Sequence, residues 1–237
     1  MLEDMDVVVL VSCRFEWEAT TALCPGRQRE RSPFGEWFTA DAPDPVVFVQ
    51  GGWGKISAAA SAQYAIDRWK PRLLVNLGTC GGFRGCAEPG EILVVERTVV
   101  YDIVERMTDP AAAIAHYSTD LNLSWLPAEL PARVRRAVIA SADRDLNPEE
   151  VDALETRFGA IAGDWESGSI AWVAARSGIR CLILRGVSDL VGGGRGDAYD
   201  GNVKLYIDGA AAIMRELVGQ LPGWIGIALP LPPALQP

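Results

Sequence analysis

The sequence predicts an α/β fold: a three-layer sandwich with a central, mostly parallel but mixed sheet flanked by helices. Two observations predict it. Runs rich in valine, isoleucine and leucine alternate along the chain with segments of helical periodicity. These runs are apolar throughout, without the polar alternation of a half-exposed strand, and this is typical of strands that helices cover on both faces.

Each predicted strand is one of these apolar runs. The runs cover residues 6–12, 45–52, 72–78, 91–100, 136–142, 158–163 and 179–190. The segment TCGGF (79–83) follows the third run, and its two glycines predict a turn there.

The predicted helices lie between the strands. They cover residues 15–24, 54–70, 146–159, 166–176 and 204–221. In the second helix, apolar residues recur at spacings of three and four, which is the helical period; these residues are Ile56, Ala59, Ala62, Ile66 and Trp69. In the third helix, Asn147 is the predicted N-cap, Pro148 the first helical residue and Gly159 the stop.

We expect residues 1–221 to form one domain, because no long linker divides the chain. Residues 222–237 are predicted to be a tail that is too rich in proline for a helix. Residues 103–133 lack clear periodicity and are predicted to form a long excursion over the sheet. The glycine-rich stretch 192–196 is predicted to be a mobile loop.

Composition excludes several classes of function. The net charge is −9, the isoelectric point is about 4.7, and no basic stripe is present, so neither nucleic acid nor an anionic membrane is an expected partner. The acidic start of the chain is unlike a signal peptide, and no run of about 18 apolar residues predicts a membrane span.

The cysteines predict neither a disulfide framework nor a metal site. There are five of them, an odd number, with no C-x-x-C pair and only one histidine, His116, in the chain. We therefore expect a reduced, cytoplasmic protein without a metal or another cofactor.

Polar and glycine residues follow the predicted strands. In an open α/β sheet, ligands bind outside the carboxyl ends of the strands, so these residues are the candidates for a site. They are Glu16 and Glu18, then Gly51, Gly52 and Gly54, then Thr79, Cys80 and Gly81, then Asp164 and Glu166, and finally Ser188 and Asp189.

The pair Asp164 and Glu166 in GDWES (163–167) has two interpretations. Acids are favoured in the first turn of a helix, because unpaired N–H groups and the helix dipole stabilise negative charge there. Alternatively, the two acids hold a polar ligand. The convergence of several acids on one edge of the sheet favours the second interpretation for Glu166.

These stretches resemble one family. FEWEA (15–19), GGWGKISAA (51–59), LLVNLGTCGGF (73–83), PGEILV (89–94), GDWES and LRGVSDL (184–190) are similar to motifs of the nucleoside phosphorylase and nucleosidase superfamily. Within it, the resemblance is to the 5′-methylthioadenosine/S-adenosylhomocysteine nucleosidase branch. It covers most of residues 6–190.

The resemblance implies roles for individual residues. It implies that Glu166 holds the ribose hydroxyls, that Asp189 protonates the leaving purine, and that Glu18 positions the attacking water, with Glu16 as its rival. It places Thr79 beside the ribose and Trp165 against the sugar, where it replaces the usual methionine. The remaining substrate-binding candidates that it implies are Cys80, Gly81, Ser188 and Asp164, the last more as a support for the turn.

Asn76 and Arg14 bear on the nucleophile. Phosphorylases of the superfamily commonly carry an arginine where this chain has Asn76, and this difference favours water over phosphate. Arg14, where the nucleosidases have a small residue, is the counter-signal: it is either a structural ion-pair partner or a cation for phosphate or for an anionic part of the substrate. In the leading interpretation the protein hydrolyses a purine nucleoside that is modified at the 5′ position. Phosphorolysis and non-catalytic nucleoside binding are the alternatives. The resemblance also implies a homo-oligomer, commonly a dimer.

The base-binding stretch departs from the family pattern. In SADRDLN (141–147), Asp145 occupies the position of an aromatic residue that stacks on adenine in the nucleosidases, and Leu146 follows it. A carboxylate accepts hydrogen bonds, so we expect guanine-type nucleosides to compete well with methylthioadenosine. In the alternative, Asp145 points to solvent and Phe83 or Trp53 covers the base.

Overall fold

The computed structural model describes residues 5–41, 45–130 and 134–229. The strands are β1 (Val7–Val11), β2 (Glu30–Arg31), β3 (Glu36–Asp41), β4 (Pro45–Gln50), β5 (Leu73–Phe83), β6 (Ile92–Val100), β7 (Thr119–Asp120), β8 (Val134–Ser141), β9 (Ala160–Asp164), β10 (Arg180–Gly192) and β11 (Arg195–Gly196). The helices are α1 (Arg14–Leu23), α2 (Gly54–Trp69), α3 (Pro110–Tyr117), α4 (Val151–Phe158), α5 (Ser167–Arg176) and α6 (Val203–Ala228).

All of the strands belong to one mixed sheet. Its order is β11-β10-β6-β8-β9-β5-β1-β4-β3-β2, and β7 pairs with β6. The long pairings of β1 with β4 and β5, of β5 with β10 and of β8 with β6 are parallel. Because β10 pairs with β5 as well as with β6, the path from β10 through β6, β8 and β9 to β5 closes into a barrel-like ring.

Helices cover both faces of the sheet, so the predicted α/β class with flanking helices is confirmed. On one face, Val8 and Leu10 of β1 belong to a buried cluster with residues of α2 and α5. On the other face, Val7, Val9 and Val11 belong to a cluster with residues of α1 and α6. Successive residues of β1 are thus buried on opposite faces, which explains why the strand is apolar throughout.

The predicted turn TCGGF is strand instead. β5 continues through Phe83, because its backbone pairs with β10 and β9 as far as this residue. A β-carbon on Gly82 would lie 2.6 Å from Cγ1 of Val187. Close packing against β10 therefore requires this glycine, independently of any ligand.

Two helices differ from their predicted boundaries. α4 begins at Val151 because Asn147 forms a turn instead of the N-cap: its Oδ1 accepts a hydrogen bond from the Glu149 N–H at 3.1 Å. Its predicted end is confirmed, with Gly159 in the left-handed region at φ 69°. In α2, Ile56 was predicted on the apolar face, but it is exposed. The predicted excursion at 103–133 contains α3 and β7.

The first part of the predicted tail, residues 222–228, is helical, so the prediction that it is too rich in proline for a helix was wrong there. α6 continues through Pro222 to Ala228, and Trp224, Ile225 and Ala228 are buried. Proline in a helix costs about 3 kcal/mol, whereas each large buried apolar side chain contributes about 1.5–3 kcal/mol. Burial therefore outweighs the cost. The Arg180 guanidinium also donates to the carbonyl oxygen of Ala228. Residues 230–237 lie outside the described residues.

In the described part of the chain, no helix combines the length and the apolar character that crossing a membrane requires.

The C-terminal turn of α6 yields a stability prediction. Trp224 is 0% exposed, so we expect Trp224→Ala to lower the free energy of unfolding by about 3–5 kcal/mol, as buried tryptophans do when truncated. Leu205→Ala, on the exposed side of the same helix, is the control and should change it by less than about 0.5 kcal/mol. Urea unfolding measures both. Equal stability of the two variants would contradict the packing of the C-terminal turn.

Candidate functional site

A cavity of about 360 Å³ lies at the carboxyl ends of β1, β5, β9 and β10. Eight of the nine predicted site residues line it: Thr79, Cys80, Gly81, Asp164, Trp165, Glu166, Ser188 and Asp189. The ninth, Glu18, does not. These eight residues therefore converge on one cavity, as expected.

Of the two acids on α1, Glu16 lines the cavity and Glu18, the one favoured by the sequence, does not. Glu18 pairs with Arg14 on the outside of the helix, where their side chains are 54% and 78% exposed. Glu16, the rival candidate, is only 4% exposed and lines the cavity. Residues two apart on a helix point to different sides, and here Trp17 and Thr20 turn inward with Glu16.

Glu16 is held by hydrogen bonds from three directions. The N–H and hydroxyl of Thr79 donate to its Oε1 at 2.6 and 2.7 Å, and the Cys13 N–H donates to its Oε2 at 3.2 Å. A β-carbon on Gly78 would lie 3.1–3.2 Å from both carboxylate oxygens. The glycine therefore lets the carboxylate approach the backbone of β5.

Arg185 is a site residue that the sequence interpretation missed. Its side chain is 2% exposed, and its Nε donates to Asp164 Oδ2 at 2.7 Å. Its Nη2 donates to Oδ1 of Asn76, whose Nδ2 donates to the Leu10 carbonyl. An arginine inside the apolar run CLILRGV was the signal, because buried arginines require acidic partners.

Asp164 supports the turn, as predicted, in addition to pairing with Arg185. Its carboxylate accepts hydrogen bonds from the N–H and hydroxyl of Ser167 at the start of α5. Glu166 points elsewhere: it is 8% exposed, and its Oε1 accepts a hydrogen bond from the Gly54 N–H at 3.1 Å.

Three carboxyl groups of the cavity have raised pKa values. Burial, together with the charges of Asp164 and Glu16, raises the pKa of Glu166 to about 8. Burial also raises the pKa of Glu16, against the opposing effect of the Arg185 charge and the Thr79 hydrogen bonds. These acids therefore bind protons more tightly than exposed carboxylates.

Asp189 lies at the other end of the cavity. Its Oδ1 accepts a hydrogen bond from the Ser188 hydroxyl at 2.6 Å. Burial raises its pKa, with further contributions from the charges of Asp197 and Asp145. The hydrogen bond from Ser188 opposes this rise but does not cancel it.

Aromatic side chains form part of the cavity wall. Trp165 stacks on Trp53, with ring centroids 4.9 Å apart and an angle of 26° between the rings, and both line the cavity. The hydroxyl of Tyr206 lies 3.4 Å from Thr79 Oγ1 and donates to Cys13 Sγ. Phe83, one of the two candidates for covering a base, is fully buried and does not line the cavity.

A salt-bridge network joins the start of α2 to two loops beside the cavity. Lys55 Nζ donates to both oxygens of Asp102 at 2.5 and 2.6 Å, and the Asp143 N–H donates to Asp102 Oδ2. The Lys55 N–H in turn donates to Asp143 Oδ1. The network thus connects the start of α2 with the segments that follow β6 and β8. Lys55 directly follows Gly54, and Asp143 directly precedes Arg144.

Within the described residues, no cluster of three or more histidine, cysteine, aspartate or glutamate side chains could hold a metal ion. The single histidine, His116, lies at the end of α3 and does not line the cavity.

Comparison with curated proteins finds nucleosidases. The chain is 26% identical over 187 residues to the 5′-methylthioadenosine/S-adenosylhomocysteine nucleosidase of Oceanobacillus iheyensis, an alignment that covers 74% of this chain and 82% of the relative. The predicted resemblance to this branch is thus confirmed.

Solved structures share the fold. The 5′-methylthioadenosine nucleosidase of Arabidopsis thaliana superposes with a TM-score of 0.77 at 18% identity, covering 97% of this chain and 98% of that one. The futalosine hydrolase of Helicobacter pylori superposes with a TM-score of 0.76 at 17% identity, covering 93% and 98%. The family model described as "Phosphorylase superfamily" matches residues 7–219. The chain therefore belongs to this superfamily.

Proposed function

We propose that the protein hydrolyses the N-glycosidic bond of a purine nucleoside with a modified 5′ position. The observation that carries the proposal is the convergence of three buried carboxyl groups, Glu16, Glu166 and Asp189, on one cavity. The curated relatives named as nucleosidases support it. Cleavage of this bond develops positive charge on the sugar, which nearby carboxylates stabilise.

In this proposal Asp189 and Glu16 transfer the protons. Asp189, whose raised pKa favours the protonated form, gives its proton to the purine as the bond to C1′ breaks. A water molecule then adds its oxygen to C1′ and loses a proton to Glu16. The hydrogen bonds from Thr79 and Cys13 orient the Glu16 carboxylate.

Glu166 is assigned to the ribose hydroxyls, with Trp165 as an apolar wall beside the sugar. Burial raises its pKa to about 8, which favours the protonated form at pH 7 before a diol binds. Two hydroxyl donors and the positive charge that develops on the sugar both favour its ionised form. Binding of the diol and ionisation of Glu166 are therefore coupled.

The remaining cavity wall fits a modified 5′ position. The lining residues that are not assigned to the base or the ribose include Phe15, Trp53, Val203, Tyr206 and Cys13. These side chains carry no formal charge at neutral pH and are largely apolar. A 5′ substituent of low charge would bury its surface against them.

Phosphorolysis, the second candidate, requires a cation for phosphate. Among the described residues that line the cavity, Arg144 is the one lysine or arginine, and it pairs with Glu150. Arg14 pairs with Glu18 outside the cavity, and Asn76 is buried against Leu10 and Arg185. These positions favour water as the nucleophile.

A non-catalytic nucleoside-binding relative, the third candidate, would not need a general acid such as Asp189.

We also propose that the protein forms a homodimer. Trp53 and Ile56 at the start of α2, and Val104 and Met107 after β6, are exposed large apolar side chains. The contact between Lys55 and Asp102 brings these two segments together. Light scattering measures the mass in solution, and a monomer would contradict the proposal.

The proposed location of the protein is the cytoplasm. Its five unpaired cysteines support this location, and cell fractionation tests it.

The product identifies the reaction. We expect purine nucleosides to release a free base and a free sugar at the same rate with and without phosphate, since the described cavity leaves no unpaired cation for that anion. Chromatography of the products distinguishes ribose from ribose 1-phosphate. A strict phosphate requirement would show phosphorolysis, and binding without turnover would show the non-catalytic alternative.

Substitution of single acids distinguishes those that act in catalysis from those outside the cavity. We expect Glu16→Gln and Asp189→Asn each to lower kcat by a factor of about 10² or more, because each removes a proton-transfer group. Glu18→Gln, two residues away but outside the cavity, is the matched control and should keep the wild-type rate. Steady-state kinetics measures all three. If Glu18→Gln lost activity and Glu16→Gln kept it, the assignment of the base would be wrong.

The raised pKa of Glu166 predicts a pH dependence of stability. Between its ordinary value of 4.5 and about 8, the folded chain retains a proton that the unfolded chain has released. The stabilisation is thus complete below pH 4.5 and is lost as pH rises to 8, by at most about 1.4 kcal/mol per pH unit. Urea unfolding from pH 5 to 8 should show a shallower decline for Glu166→Gln. Parallel curves for wild type, Glu166→Gln and the exposed control Glu18→Gln would refute this.

A further inference from the structure

Asp145 is an unpaired carboxylate at the end of the cavity that contains Asp189. It lines the cavity, and within the described residues it makes no hydrogen bond or ion pair. Its neighbour Arg144 does not neutralise it, because the Arg144 guanidinium pairs with Glu150 and lies over the ring of Tyr101. Asp145 is therefore free to accept a hydrogen bond from a ligand.

The side-chain hydroxyl donors at this end of the cavity are already engaged. The Tyr199 hydroxyl donates to the Leu146 carbonyl at 2.9 Å, and the Ser188 hydroxyl donates to Asp189. The charge of Asp145 is close enough to raise the pKa values of both Asp189 and Tyr199. Arg144 also lines the cavity but pairs with Glu150, so the unpaired side-chain group that this end offers a ligand is the acceptor Asp145.

We propose, on the basis of the proposed function, that Asp145 selects a purine whose ring presents N–H donors, such as a 6-oxopurine, over a 6-aminopurine. Guanine carries adjacent donors at N1 and N2, which can meet the two oxygens of one carboxylate. Adenine carries an acceptor lone pair at N1, and a carboxylate facing that atom repels it.

The position of Asp145 is built into the fold. The Lys55–Asp102–Asp143 network fixes the chain two residues before it, and the buried Leu146 follows it, between Gly81 and Gly163. The backbone on both sides of Asp145 is thus anchored, although its side chain is exposed. Substitution of Asp145 is therefore compatible with folding.

Asp197 offers a matched control. Like Asp145, it raises the pKa of Asp189 through its charge, but it pairs with Arg84 and does not line the cavity. A change in Asp197 therefore alters the electrostatics around Asp189 without altering a contact to the base.

The test compares kcat/KM for guanosine and adenosine, each with the same 5′ group, in wild type, Asp145→Asn, Asp145→Ala and Asp197→Asn. An asparagine offers both a donor and an acceptor, so Asp145→Asn should lower the guanine-to-adenine ratio about tenfold or more, the scale of one well-placed hydrogen-bonding pair. Asp145→Ala should lower it without a gain on adenine, and Asp197→Asn should leave the ratio unchanged.

A ratio that stays the same in both Asp145 variants, or that changes equally in Asp197→Asn, overturns the proposal. If the protein turns over neither nucleoside, the proposed function fails, but the inference about Asp145 is still decided by equilibrium dialysis with the same two nucleosides. Tighter guanosine binding that Asp145→Asn removes supports it. Equal binding of both nucleosides by the wild type refutes it.

Discussion

A guanidinium group lies beneath the acidic cavity, almost completely removed from water. Arg185 can occupy this position because Asp164 accepts from its Nε and Asn76 from its Nη2. It lies opposite Gly78 in the pairing of β10 with β5, where the absence of a side chain leaves room for it. A buried charge without such partners costs several kcal/mol. In return, Arg185 is the counter-charge that lets Glu16 and Glu166 be buried close together.

The two ends of the cavity are electrostatically different as a result. The Arg185 charge lowers the pKa values of Glu16 and Glu166 against the effect of burial. No such cation contributes at Asp189, where the neighbouring charges are those of Asp197 and Asp145. In the proposed function, Asp189 gives a proton and Glu16 takes one, and acids with such opposing tasks require different environments. The structure supplies this difference through the single position of Arg185 on β10.

The sequence predicted seven of the strands and the edge at which the polar residues gather, because both follow from local patterns. It did not predict β2, β3, β7 and β11. It favoured Glu18 over Glu16, whereas Glu16 is the one that lines the cavity; an acid after a strand is compatible with either face of the helix. The spacing of Cys13, Glu16, Trp17 and Thr20, one helical face, was the available signal. The Cys13 N–H donating to Glu16, as in a capping box, points the same way.

Other differences arise from tertiary contacts that no local pattern contains. α6 passes through Pro222 because the residues after it are buried against the sheet. The glycine pair at the end of β5 continues a strand because β10 and β9 pair with it, and this pairing also closes the ring of strands. In both cases local propensity is outweighed by burial or backbone pairing.

The Lys55 network explains how loops from separate strands can form one accurate site. Loops are in general the more mobile parts of a fold, yet in the proposed function residues of loops contact both the sugar and the base. Lys55 is bonded through its N–H to Asp143 and through its side chain to Asp102. Gly54, the preceding residue, donates to Glu166, and Asp145 follows Asp143 by two residues. In the proposed function, the network therefore joins the segment that carries Asp145, assigned to the base, to Gly54, whose N–H donates to the carboxyl group assigned to the ribose hydroxyls.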